Sequence, residues 1–287
     1  MLLPMRLPRL GLAIAMTGLV AASALGEGDG DDAGAGIQDN SFLIEEAYNQ
    51  DAGVVQHINL FRKDPKTGEW AASYTEEWPI GGITHQLSYT VNYLRVSGDA
   101  GAFTGLGDLA LNYRYQLVGN GESRLAVAPR VTLFVPTGSA SKGLGQGGPG
   151  IQLGIPASLV LSKAFVVHGN LGFTWTSSEK DAAGDEANAV AGYAGGSVVW
   201  LARSNFNVLL EGLWSRGQLV IAPHRTRADV DAFVSPGIRW AYGADSQKGL
   251  QIVPGIAFPV GVGPSHGRYG VLVYLSFEHP FSDAATR

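Results

Sequence analysis

The chain has 287 residues, of which 45% are hydrophobic and 16% charged, against about 25% charged in an ordinary globular protein. Its net charge of −5 and the lack of a basic stripe exclude nucleic acid as a partner. No cysteine occurs, which removes disulfides, thiolate catalysis, cysteine-ligated metals and a lipid on an N-terminal cysteine.

Residues 1–24 read as a cleaved export signal. Arg6 and Arg9 precede an apolar stretch too short to span a bilayer comfortably, and Ala22-Ser23-Ala24 is an A-x-A cleavage site. Residues 25–51 join an acidic, Gly-rich linker with too little apolar surface to fold to the segment DNSFLIEEAYNQ (39–50). The adjacent carboxylates Glu45 and Glu46 raise the idea of acid–base chemistry. As a short helix, the segment would put Leu43, Ile44, Ala47 and Tyr48 on one face and Glu45, Glu46 and Asn49 on the other. Two further readings stand beside catalysis: a plug whose carboxylates meet Arg114, Arg130 or Arg239, and a lead-in that covers the base of the following domain.

Residues 52–281 alternate with a period of two. In QLSYTVNYLRV, Leu87, Tyr89, Val91 and Tyr93 share one face and Gln86, Ser88, Thr90 and Asn92 the other. GLGDLALNYRYQL and SRLAVAPRVTLFVP behave in the same way, and alternation over ten or more residues is the mark of a β-strand. Nine less regular runs start near residues 54, 69, 150, 165, 190, 205, 231, 250 and 270, bringing the expected number to twelve. An even count of strands about 9–11 residues long fits a transmembrane antiparallel up-and-down β-barrel, an all-β fold. Short turns at one end (PIGG, VGNGES, SKA, ARS, ADSQKG) oppose mostly longer loops at the other, among them TSSEKDAAGDEAN and SRGQLVIAPHRTRA. Trp70 and Trp78 bracket one strand, while Trp175, Trp200 and Trp214 close others, as interfacial girdles do. A soluble all-β protein is the competing class.

The charges inside strands keep mostly to the polar face. Asp108, Arg114, Arg124, Arg130, Glu211, Arg239 and Glu278 are expected to line a pore, with His168 beside them, or to form an ion-pair network that fills a small barrel. Arg62, Glu76 and Arg95 fall on the other face or at strand ends, where they are expected to snorkel. Pro129, Pro156, Pro236 and Pro254 predict bulges or breaks, and Gly172, Gly192, Gly195, Gly196 and Gly212 predict bends or close packing. GLGQGG (143–148) lacks a βαβ context and reads as a flexible outer loop. His57, His85, His168, His224, His266 and His279 show no metal-ligand spacing, so no metal and no cofactor are expected. No G-x-S-x-G occurs, and lipid hydrolysis would need a Ser–His pair near one rim of the outer wall.

DNSFLIEEAYNQ with VVQHI, GLGDLALNYRYQL, APRVTLFVPTGS, SPGIRWAY and FEHPF resembles bacterial outer-membrane transporters grouped in a meta-pathway phenol-degradation family. The resemblance spans most of residues 37–281 and implies an outer-membrane barrel admitting hydrophobic or aromatic compounds; it carries over no binding residue. One departure is the tail SDAATR (282–287), where such barrels commonly end on an aromatic. The expected function is passive passage of small solutes across a Gram-negative outer membrane, without enzymatic activity. Lipid and the barrel-assembly machinery are the expected partners. A lipid-modifying hydrolase and a structural barrel without transport are the alternatives.

Overall fold

The computed structural model describes residue 37, residues 39–98, 101–242 and 249–281. The expected export signal, most of the linker and the tail at 282–287 lie outside them.

Twelve strands close into one antiparallel barrel. They are β1 (Val54–Lys63), β2 (Trp70–Ile80), β3 (His85–Gly98), β4 (Gly101–Leu106 and Leu109–Tyr115), β5 (Leu125–Val127 and Arg130–Val135) and β6 (Gly150–Gly154 and Ala157–Ser162). The second half comprises β7 (Phe165–Lys180), β8 (Glu186–Arg203), β9 (Phe206–Ala222), β10 (Arg225–Trp240), β11 (Gln251–Ala257 and Val260–Gly261) and β12 (Val271–Pro280). Each strand pairs with its sequence neighbours, and β1 pairs with β12 from Val54↔Pro280 to Lys63↔Val271, which closes the wall. Closure removes every sheet edge, the condition for placing β-structure in hydrocarbon.

The prolines divide into two kinds. Pro129 and Pro156 sit in the breaks of β5 and β6, where a missing N–H interrupts the ladder. Pro236 and Pro254 lie in unbroken strand, against the expectation; each still keeps its place in the register, opposite Leu210 and Leu275.

Alternation gives the wall two faces. Leu87, Leu111, Leu133, Leu153, Phe173, Trp175, Trp200 and Trp214 point outward and are exposed, whereas Gln86, Asn112, Thr132, Gln152, Thr174 and Ser197 point inward and are buried. A continuous apolar exterior of this extent requires a bilayer. Aromatic pairs mark its margins: Trp70 packs in tilted contact against Phe61 and Tyr93 at one end of β2, and Trp78 against Phe281 at the other.

The outer side differs from the sequence reading. TSSEKDAAGDEAN and SRGQLVIAPHRTRA are mainly strand, with β7–β8 turning at 181–185 and β9–β10 at 223–224. These strands run 16 to 18 residues, beyond the 9–11 that cross a membrane. Their polar composition suggested loops, but a backbone ladder needs no apolar side chains once it leaves the lipid.

Candidate functional site: a segment seated in the barrel lumen

Residues 39–50 enter from the end where the chain's short turns lie and cross the interior as extended, bent chain. The expected helix is absent. Its i→i−4 bonds are replaced largely by bonds to the wall, because inward side chains offer acceptors to six of its N–H groups, while the Asn40 and Glu46 N–H groups bond within the segment to Asp39 Oδ1 and Asn40 Oδ1. Leu43 and Ile44 donate to Glu211 Oε1 (2.6 and 3.1 Å), Glu45 to Asn170 Oδ1 (2.8 Å) and Ala47 to Ser158 Oγ (2.8 Å). Asn49 and Gln50 donate to Gln116 Oε1 (2.9 Å) and Gln86 Oε1 (2.8 Å).

The carbonyls are taken by two arginines and two amides. Arg239 donates to the carbonyls of Ile37, Asp39 and Asn40, and Arg114 to those of Glu46 and Tyr48. Asn170 and Gln116 donate to the carbonyls of Glu45 and Ala47. Counting side chains too, ten of the twelve strands bond directly to the segment. The contacts fall near the inner ends of the strands, so the segment forms a floor across that half of the lumen.

Its charged groups are seated individually. Glu45 forms an ion pair with Arg130, which also donates to Gln152 Oε1 (3.0 Å). Asp39, fully buried, accepts from Tyr274 Oη (2.6 Å), Gln56 Nε2 (3.0 Å) and Ser276 Oγ. Glu46 is buried, and that burial, reinforced by Asp39, pushes its carboxyl up to about 8 despite Arg239 and Arg114.

The apolar side chains pack toward β8–β12. Phe42, Leu43 and Ile44 join Tyr193, Val199, Leu209, Val253, Leu272 and Tyr274 in one buried cluster. Glycines make the room: a Cβ at Gly237 would lie 2.6 Å from the Phe42 ring, and one at Gly195 2.5 Å from Ile44 Cδ1. Gly195 therefore keeps its place in an unbroken β8 and admits Ile44, whereas Gly237 carries no signal in the sequence beyond being a glycine.

The remaining charges distribute as follows. Glu278 is half-buried on the inner end of β12. Arg124 is exposed near the inner rim, donating to the Val160 carbonyl (3.3 Å). Asp108 stands at the outer mouth, accepting from Gly138 N (2.9 Å) and Gln146 N (2.7 Å). Those two bonds, with Lys180 N donating to the Gln146 carbonyl (2.8 Å), tie loop 136–149 to β4 and β7. GLGQGG is thus a fastened loop at the mouth, and Leu144 within it is buried. Behind it lies an open cleft lined by Gln146, Thr176, Glu179, Asp229 and Asp231 among others. His168 Nδ1 lies 2.7 Å from Ser158 Oγ, a Ser–His pair invisible in the sequence. The pair is buried beneath the segment rather than on the outer wall, and Ser158 Oγ also accepts the Ala47 N–H.

Among solved structures, the chain is similar to an outer-membrane channel from Pseudomonas putida F1, with 14% identity, a TM-score of 0.56, and coverage of 81% of this chain and 97% of that one. It is also similar to the NanC porin, with 9% identity, a TM-score of 0.52, and coverage of 78% and 98%. Identities this low establish the shared barrel fold. No protein of curated function matches in sequence. Residues 32–264 match the model of the family described as "Putative MetA-pathway of phenol degradation", and the chain belongs to that family.

Proposed function

We propose that the protein is a passive outer-membrane channel whose inner half is restricted by residues 39–50, and that its solutes are small and uncharged or cationic. The observation that carries this reading is the seating of that segment: a polar lumen is crossed by chain held through side chains, not through strand pairing, so it can leave without opening the closed wall around it. Glu179 and Asp229 at the outer cleft favour neutral and positive solutes over anions, as acidic rings do. The family description supports small aromatic compounds in their uncharged form.

Single-channel recording in planar bilayers tests the reading. Deleting residues 37–50 is expected to raise conductance several-fold, and a KCl gradient should give a cation-selective reversal potential. Phenol should interrupt the current more than benzoate. Unchanged conductance after the deletion would remove the restriction, and anion selectivity would remove the solute class.

A further inference from the structure

On the outward face of the barrel, at its closing seam, the fold brings together two histidines that are 222 residues apart. His57 on β1 and His279 on β12 face outward near the inner rim, with Trp78 and Phe281 between them and that rim. Their Nε2 atoms are 3.3 Å apart, and the His57 ring stacks on Phe277 at 4.6 Å.

The hydrogen bonds fix both tautomers. His279 Nδ1 lies 3.1 Å from the Pro280 carbonyl, which only accepts, so Nδ1 carries the proton. His57 Nδ1 lies 2.8 Å from Tyr74 Oη. That hydroxyl gives its own proton to Glu76 Oε2 at 2.6 Å, so its oxygen accepts from His57. In the neutral form each ring therefore turns a bare Nε2 lone pair toward the other. Two lone pairs in hydrogen-bonding contact repel unless a positive species lies between them.

The charge for such a species is already in place. Glu76 sits 3.3 Å from His57 Nδ1, its carboxylate held by Tyr74, by Trp78 Nε1 at 2.7 Å and by Tyr89 Oη at 3.2 Å. A carboxylate behind the distal nitrogen of a histidine is the arrangement that orients imidazoles toward a metal. Two imidazole nitrogens at about 2.0–2.1 Å from a tetrahedral ion stand roughly 3.3–3.4 Å apart, the separation found here.

We propose that His57 and His279 bind a borderline divalent transition-metal ion, such as Zn²⁺, Cu²⁺ or Ni²⁺, through their Nε2 atoms at the β1–β12 seam. Glu76 is the positioning residue. No group of three metal-ligating side chains occurs among the described residues, so water completes the coordination. This makes the site a two-ligand one of moderate affinity, independent of the lumen and of any solute path.

The test uses the full chain folded in detergent, with heat-modifiable migration on gels to verify folding of every variant. Titration calorimetry with Zn²⁺ should give one saturable equivalent, and Cu²⁺ electron paramagnetic resonance should show coupling to two imidazole nitrogens. His57→Gln and His279→Gln should each weaken binding at least tenfold, and Glu76→Gln about 10–100-fold. His85→Ala and His266→Ala should change nothing. Absence of saturable binding, or binding unaffected by either histidine, overturns the proposal. So does a seam that is stabilised by acid through both histidines but not by metal, since a shared proton would then fill the gap.

Discussion

At the scale of single residues, Glu46 makes the seating of the segment depend on pH. Its carboxyl is pushed up to about 8 when seated, against an ordinary value of 4.5, chiefly by burial. A carboxyl raised by docking favours the docked state in full below its ordinary value and loses that contribution as pH rises to the docked value. Asp39, also raised by burial, acts in the same direction, and Arg239 opposes both. Conductance should therefore increase between about pH 4.5 and pH 8, and Glu46→Gln should flatten most of that rise. A profile falling with pH, or one unchanged by the substitution, would contradict the assignment. Glu45 differs from its neighbour by having Arg130 as a direct ion-pair partner. The two carboxylates that suggested paired catalysis in the sequence thus sit in separate environments, with no shared substrate position between them.

Among the elements, the wall and the segment differ in how far the sequence discloses them. All twelve strands were legible because the two faces of each strand meet opposite solvents, and a period of two survives proline breaks such as that at Pro129. The ends of β7–β10 were not, since beyond the lipid polar residues enter both faces and the alternation weakens while the ladder continues. The seated segment was half legible. Its apolar and acidic residues suggested something tucked inside, but its conformation depends on acceptors contributed by strands far away in sequence. Glu211 illustrates this: its parity puts it on the inward face, yet nothing local shows that it accepts two backbone N–H groups from residues 43 and 44. The Ser158–His168 and His57–His279 contacts were hidden for the same reason, because only register joins them. Packing gives a direct check on the segment. Gly237→Val should drive Phe42 from its place, since even a bare Cβ there meets the ring and Ala257 Cβ at 2.8 Å. Overpacking of this kind costs about 1–3 kcal/mol. That variant should show raised conductance with unchanged heat-modifiable migration; a normal current would mean that Phe42 does not hold the segment in place.

For the whole molecule, wall and floor are separable bodies. The wall is closed by backbone pairing between β1 and β12, whereas the floor is held by side chains drawn from ten strands. A barrel without residues 37–50 should consequently still fold and migrate as the heat-modifiable species, although the buried Arg114 and Arg239 would lose their main acceptors and lower its melting temperature by several degrees. Failure to fold would make the segment part of the wall's own stability.

The way the floor is held also sets an order of events. Its docking surface does not exist until β3, β9, β10 and β12 stand around one space, and β12 is the last strand in the chain. The stretch nearest the amino terminus must therefore wait, unanchored, while everything after it is assembled, and settle last. Refolding followed at two positions should show this as a delay: tryptophan signals from the wall come first, and protection of the amides at Leu43, Ile44 and Ala47 from exchange comes in a later, separate phase.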